Sequence, residues 1–251
     1  MEPRNVIGPV EIDSTKPLKL HIGCGNHRIP QYVNCDLHKT GATDRVFDCT
    51  QPWPFPDNSA STIYCSHTLE HLADFKAFFR EAHRVLTPGG FLQIRVPYGD
   101  HRAAWWDVTH LRPWFAESFC FLQPGYDQAV ANAQWREWNH FFAVQDVLLR
   151  VSARVVPLLR WRLARILLMP WLDCFHNVVE ELWVYMVPLK TEQAIIDWST
   201  VNASNGVPGR YVAYRHHYEG RALGFHEAVD FVTLAAAWWP NGFHGWHTGT
   251  P

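Results

Sequence analysis

The chain is poor in methionine (3 of 251 residues), poor in charged side chains (18%) and nearly free of charge imbalance. Lys plus Arg number 22 against 24 Asp plus Glu, a formal net charge of -2. That balance excludes a broad basic face as the main means of holding nucleic acid, though not a local basic patch. No uncharged apolar run reaches the ~18 residues that a membrane-spanning helix needs. The longest, Leu182 to Leu189 and Phe231 to Trp239, are about half that length. Six cysteines (Cys24, Cys35, Cys49, Cys65, Cys120 and Cys174) include no C-x-x-C pair, and no apolar signal-peptide core follows the first residues. Reduced, mostly buried thiols in a soluble cytoplasmic protein are expected. No internal repeat or low-complexity linker is present, and 251 residues suffice for one full-sized core.

What is there alternates between strand and helix signals. Short β-branched or aromatic runs at Leu18–Ile22, Tyr32–Leu37, Arg45–Asp48, Thr62–Ser66 and Phe91–Val96 each end in Gly, Asp, Ser or Pro. Between the last two, Leu69, Leu72, Phe75, Phe79, Ala82 and Leu86 recur at helical steps, and Thr87-Pro88-Gly89-Gly90 stops the pattern. Strands joined by crossovers predict an α/β fold, a Rossmann-like, doubly wound and mostly parallel sheet. Gln128 to Leu149 reads as helical, part of an insertion over about 128–175, and Val179 to Leu189 as a late strand broken at Pro188. The main domain is expected to span 1–190, with 191–251 a turn-rich C-terminal extension of unknown role.

A strand ending in Gly23-Cys24-Gly25 lets backbone N–H groups approach a ligand, because glycine lacks a Cβ. Arg28 stands where a dinucleotide fingerprint has its third glycine, and Asp36 follows Gly25 by eleven residues. A nicotinamide site would have its acid after ~20. The pair alone also fits an ordinary tight turn. Asp36, Asp48 and Ser66-His67 nevertheless close three successive strands, and in a parallel sheet those carboxyl ends share one ligand-binding edge. A carboxylate there can accept ribose hydroxyls; alternatively, such acids merely cap turns.

An ordered series of strings extends this reading over residues 18–122. They are Leu18-Lys19-Leu20-His21-Ile22-Gly23-Cys24-Gly25-Asn26, Val33-Asn34-Cys35-Asp36-Leu37 and Pro52-Trp53-Pro54-Phe55-Pro56-Asp57-Asn58-Ser59. Next come Ile63-Tyr64-Cys65-Ser66-His67-Thr68-Leu69-Glu70-His71-Leu72 and His83-Arg84-Val85-Leu86-Thr87-Pro88-Gly89-Gly90. Arg95-Val96-Pro97-Tyr98 and Asp107-Val108-Thr109-His110-Leu111-Arg112-Pro113 complete it. The whole resembles a class I S-adenosylmethionine-dependent methyltransferase, in the type-11 bacterial branch often found with surface-polysaccharide genes. The resemblance implies S-adenosylmethionine as cofactor. It implies that Gly23, Cys24 and Gly25 pass its methionyl part, Asp36 and Leu37 take the ribose side, and Asp48 with nearby Trp53 to Phe55 borders the adenine. Ser66 and His67 would face the methyl. His21 stands where the family often has Asn and is assigned no role.

If the acceptor is a hydroxyl, a base must remove its proton. The segment after the fifth strand lies where the family builds its acceptor pocket, so His110, oriented by Asp107, is the expected base, with His67 and His101 as substitutes. Alternatively Asp107 and His110 only hold a loop together. The run His67-Thr68-Leu69-Glu70-His71 also reads as H-x-x-E-H, two histidines on one helix face with Glu70 as base. That motif needs a further ligand and a protein-sized cleft, and its position matches the methyltransferase pattern better; no metal is assigned. Trp105, Trp106 and Trp114 suit sugar rings or core filling alike.

Five arginines without an acid (Arg150, Arg154, Arg160, Arg162 and Arg165) suggest a solvated or subunit-facing surface, an anionic-acceptor site or a peripheral-membrane segment at 150–168. The expected activity is O-methylation of a saccharide or other small polar acceptor, with a homo-oligomer allowed. Nucleic-acid or protein methylation, and a non-catalytic binding or assembly module, are the alternatives. The absence of an Asn/Asp-Pro-Pro-Tyr/Phe string weighs against methylation of base amino groups.

Overall fold

A computed structural model describes residues 17–126, 133–152, 176–197, 214–217 and 228–229. Five parallel strands form the left side of one sheet: β1 (Leu18–Ile22), β2 (Val33–Asp36), β3 (Arg45–Val46), β4 (Ala60–Ser66) and β5 (Leu86–Pro97). Then β6 (Phe142–Val151) and β7 (Val179–Pro188) join, with β8 (Tyr214–His217) and β9 (Ala228–Val229) at the far edge. The order is β3-β2-β1-β4-β5-β7-β6-β8-β9, with β7 antiparallel to both neighbours. This is a mostly parallel, Rossmann-like α/β sheet. Strand order reverses between β1 and β4, the switch point where open α/β sheets bind ligands at their carboxyl ends.

Leu20, Ile22, Ile63, Cys65, Leu92 and Ile94 are buried at the sheet centre, as strands covered on both faces require. Helix α1 (Phe75–Val85) lays Phe78, Phe79, Ala82 and Val85 onto it, and each phenylalanine contributes about 2–3 kcal/mol by leaving water. The helix is shorter than the periodicity from Leu69 predicts. Leu69–His71 is a separate 3-10 turn, and α1 starts anew because the Asp74 carboxylate accepts from Ala77 N at 2.9 Å. Arg112 fixes the break by donating to Leu72 O (2.8 Å) and Ala73 O (3.2 Å).

The helical reading of 128–149 fails over its second half, which is β6. Its large buried residues Phe142, Val144, Val147 and Leu149 step by two, three and two, with the small Ala143 buried as well, because a bulge between Val144 and Asp146 shifts the alternation. That shift imitates a helical repeat. The rest of the expected insertion at 153–175, the arginines from Arg154 to Arg165 and most of the C-terminal extension lie outside the described residues. Among the described residues no helix is long and apolar enough to cross a membrane.

No helix joins β1 to β2. The buried Asn34 amide closes that short crossover instead, donating to Ile29 O (3.2 Å) and Tyr32 O (2.8 Å) while its Oδ1 accepts from Ile29 N (2.9 Å). His21 Nδ1 meets the same oxygen at 3.0 Å, so His21 serves this network. Arg28, in place of a third glycine, ties the crossover to Asp44 at 2.8 Å.

On the outer side of α1, burial, with the positive charges of Lys190 and His140, lowers the His83 pKa to about 4. The unfolded value is near 6.5, so the folded state holds the neutral ring and the unfolded state takes up the proton as pH falls. We expect His83 to cost roughly 1–3 kcal/mol of stability between about pH 6.5 and 4. Urea unfolding across that range should show a shallower acid loss in His83→Gln than in wild type.

Candidate active site

The carboxyl ends of β1, β2 and β4 open onto a cleft of about 440 Å³, lined by Gly23, Gly25, Asp36, Leu37, Asp48 and His67 among others. Gly23 has φ +72° and Gly25 φ +52°, a left-handed backbone that favours glycine. A Cβ on Gly23 would lie 1.9 Å from Thr68 Oγ1, whereas one on Gly25 would meet no protein atom within 4 Å. The Asp36 carboxylate braces this loop: Oδ2 accepts from Gly25 N at 2.7 Å and Oδ1 from His38 N at 2.9 Å. Asp48 Oδ1 accepts from Thr50 N and Oγ1, at 2.8 and 2.7 Å.

Two expected lining residues turn elsewhere. Cys24 is buried with its thiol 3.8 Å from Thr43 Oγ1, and burial raises its pKa; Ser66 is half-buried, its carbonyl accepting from Thr68 Oγ1 at 3.2 Å, and neither side chain belongs to the cleft wall. Trp53 and Phe55 are core residues, packed with Phe47 and Phe78, and it is Phe47 and Cys49 beside Asp48 that reach the cleft. Trp53 is pinned there by donating its N–H to Glu81 Oε2 at 2.6 Å and its indole N–H to Cys49 O at 2.9 Å.

His67 and His71 line the polar end of the cleft, and behind them lie His110, the buried Glu70 and the half-buried Glu181. His67, at φ +51°, meets Glu181 Oε1 at 3.2 Å through Nε2 and Glu70 Oε1 at 3.4 Å through Nδ1. Glu181 first, then Glu70, raise its pKa to about 9, so at neutral pH it is an imidazolium without a lone pair for use as a base. Burial pushes the Glu181 carboxyl up, but His67, Arg95 and the Trp183 indole outweigh that and hold it far below the usual range.

His110 Nδ1 donates to Ala104 O at 3.2 Å, leaving Nε2 as the acceptor. Asp107 does not orient that ring. Its Oδ2 is 3.8 Å from His110 Nε2, too long for a hydrogen bond, while Oδ1 accepts from Thr109 N (2.9 Å) and Oγ1 (2.7 Å). Thr109 then meets His71 Nδ1 at 3.0 Å, and the His71 and His110 rings stand 4.7 Å apart. His101 stays outside the cluster, its Nδ1 accepting from Ala103 N at 3.2 Å.

Trp105 and Trp106 are 65% and 67% exposed next to Ala104, whereas Trp114 is core. Thr68, Glu70, His71, Leu72 and Glu181 were not among the expected site residues. Glu70 and His71 were visible inside the H-x-x-E-H string, but Glu181 had no local signal because it arrives on the antiparallel return strand.

The residues present fit an adenosyl ligand. Two lining carboxylates, Asp36 and Asp48, can accept from hydroxyl and amino donors, Ile22, Leu37, Phe47 and Leu72 give apolar walls, and the cleft volume suits a nucleoside-sized molecule. Comparison with known proteins agrees in kind. Residues 25–94 match the family described as a methyltransferase domain. A probable methyltransferase of Arabidopsis thaliana is 38% identical over 63 residues, 24% of this chain and 10% of that protein. The chain thus spans about a tenth of the length of this curated relative.

Among solved structures, a SAM-dependent methyltransferase from Archaeoglobus fulgidus aligns with a TM-score of 0.48 at 13% identity, covering 69% of this chain and 87% of that one. One from Mesorhizobium loti aligns at 0.39 and 17%, covering 70% and 93%.

Gly23 and Gly89 share nearly the same φ, +72° and +74°, but only Gly23 faces a close neighbour. Gly89→Ala should cost about 1–2 kcal/mol from the left-handed backbone alone. Gly23→Ala should cost roughly a further 1–3 kcal/mol from overlap with Thr68, part of which Thr68→Ala restores. Denaturant midpoints of the four proteins check this.

Proposed function

We propose, for a chain whose residues 25–94 match a methyltransferase domain, that it is a class I S-adenosylmethionine-dependent methyltransferase that O-methylates a saccharide or other small polar acceptor. The observation that carries this reading is the junction of two unlike environments in one cleft. One end has glycines and strand-end carboxylates; the other is lined by His67 and His71, with Glu70 and His110 clustered on His71 and the His110 ring held by Ala104 O, next to the exposed Trp105.

When bound, S-adenosylmethionine supplies a methyl group on a cationic sulfur, a leaving group already activated. The protein therefore has to align the acceptor, exclude water and remove the hydroxyl proton. Asp36 retains acceptor capacity beyond its two backbone bonds and would take a ribose hydroxyl, and Gly25 leaves room beside it. Leu37, 56% exposed on the cleft wall, offers an apolar surface to the nucleoside. Asp48 would accept from the adenine side. His110 Nε2, its ring held by Ala104 O, would accept the acceptor proton, and the His67 imidazolium adds a fixed charge beside it. The faces of Trp105 and Trp106 suit a sugar ring, whose C–H groups stack on indole. The small net charge supports a small acceptor over a nucleic acid.

Two measurements test the reading. Asp36→Asn should weaken S-adenosylhomocysteine binding by about 10-fold or more in calorimetry, the loss expected for a charge-assisted hydrogen bond. With labelled S-adenosylmethionine and a panel of saccharides, His110→Asn should lower kcat by roughly 10²–10⁴-fold with little change in the cofactor KM. Binding of S-adenosylhomocysteine without turnover of any saccharide would overturn the catalytic assignment in favour of a binding module.

A further inference from the structure

We propose that Glu70, His71 and His110 form a site for one divalent first-row transition cation at the mouth of the cleft. One carboxylate oxygen of Glu70 and one ring nitrogen from each histidine lie within 4.8 Å of one another. The decisive feature is Glu70, which is 1% exposed, yet neither of its carboxylate oxygens has a hydrogen-bond partner among the described residues. Its charged neighbour His67 stands 3.4 Å from Oε1, so the buried carboxylate is left without a hydrogen bond on either oxygen, and such groups are normally hydrogen-bonded or bound to a metal.

Of the three histidines around Glu70, His71 and His110 are the two held by outer partners on one ring nitrogen. The Ala104 carbonyl can only accept, so it takes the Nδ1 proton of His110 and leaves Nε2 bare, 4.0 Å from Glu70 Oε1. The Thr109 hydroxyl gives its own proton to Asp107 at 2.7 Å, so it accepts from His71 Nδ1, and the other nitrogen of His71 is bare as well. One ring nitrogen of each histidine and a carboxylate oxygen converge there, and a cation would be held by all three. Each histidine also has the outer partner that metal-ligating histidines have, a backbone carbonyl for one and a hydroxyl backed by Asp107 for the other. His67 contacts Glu70 only as an ion pair at 3.4 Å and is already held by Glu181, so it stays outside the ligand set.

The segment is not the two-histidine helix of a zinc protease. His67 sits at positive φ before a 3-10 turn, and His110 from a distant loop is the second histidine instead. Two imidazoles and one carboxylate select zinc, cobalt, iron or manganese over magnesium or calcium, and three protein ligands leave positions open. With the cation bound, His110 Nε2 is a ligand and the base role given to it above passes to the metal: His71 lines the cleft, so an open position there would take the acceptor hydroxyl, orienting it and lowering its pKa so that its proton leaves to water. That catalytic use rests on the reading above; the cation site itself does not.

The test titrates metal-free full-length protein with Co2+, read by visible d–d absorption, and with Zn2+, read by calorimetry, with S-adenosylhomocysteine titrated separately. One equivalent of Co2+ should give the bands of a four- or five-coordinate site. Glu70→Gln, His71→Asn and His110→Asn should each weaken binding by at least about 100-fold, and Thr109→Val by about tenfold. His101→Asn, outside the cluster, should leave binding unchanged. His71 is partly exposed, so its variant keeps the test sound if Glu70→Gln fails to fold. No stoichiometric Co2+ or Zn2+ binding by wild type, or binding that all three ligand variants retain, would overturn the site. Loss of S-adenosylhomocysteine binding with metal binding intact would instead remove the functional reading and leave the cation site standing.

Discussion

The hydrogen bond from Gly25 N–H to Asp36 Oδ2, 2.7 Å long, joins the tips of β1 and β2, and the cleft exists because of it. Without a helix between these strands, the left-handed Gly23–Gly25 turn is held above the sheet by this bond together with Cys24 N to Cys35 O (2.9 Å) and Thr40 Oγ1 to Gly25 O (2.6 Å). The Asn34 amide fixes the far end of the same crossover, and Arg28 anchors its middle to the 42–44 segment through Ala42 O and Asp44. A short loop with few apolar contacts has little hydrophobic free energy to draw on. Its order comes from directed hydrogen bonds, each worth about 1 kcal/mol and more where a carboxylate accepts.

The opposite wall depends on a break. Had the 69–86 periodicity continued as one helix, Glu70 and His71 would project from a continuous cylinder with their neighbours at helical spacing. Asp74 restarts the helix, and Arg112 caps the carbonyls that the break exposes. The 69–71 turn is thereby free to aim Glu70 inward, and the backbone N–H of Leu111 donates to Glu70 O at 2.9 Å, which brings the His110 loop alongside. One acid at a helix start thus determines where the polar end of the cleft can be built.

Most of the left half of the sheet was legible in the sequence, since short parallel strands with buried faces leave dense apolar runs closed by Gly, Asp or Ser. Asp36, Asp48, Gly23, Gly25, Leu37 and His67 were legible as candidates because strand ends on one edge of a parallel sheet must lie together. Side-chain direction was not. Cys24 lies between two cleft glycines yet points at Thr43, and spacing alone cannot say which way one residue of a turn faces. The strand β6 was hidden by its bulge. The partner of His110 was hidden because a backbone carbonyl carries no residue identity; Asp107, three positions away, was the visible but mistaken choice. Glu181 was invisible for a topological reason: it reaches His67 only because β7 runs antiparallel beside β5, pairing Glu181 with Pro97.

That last contact makes the cleft a property of the whole sheet. Glu181 holds His67 at 3.2 Å, Arg95 at 2.7 Å and Arg150 at 3.1 Å, so β5, β6, β7 and the turn after β4 meet at one carboxylate. Separate salt bridges at a surface contribute little, but here three cations share one half-buried carboxylate. Displacing β7 would carry Glu181 away and leave His67, Arg95 and Arg150 without their shared partner. The polar end of the cleft is therefore ordered only when the antiparallel return strand is docked. The glycine end, closed by Asp36 and the β1–β2 crossover, is built mainly within the first fifty residues, with Thr68 and Leu72 completing its wall, so the two halves of the cleft draw most of their order from separate parts of the chain.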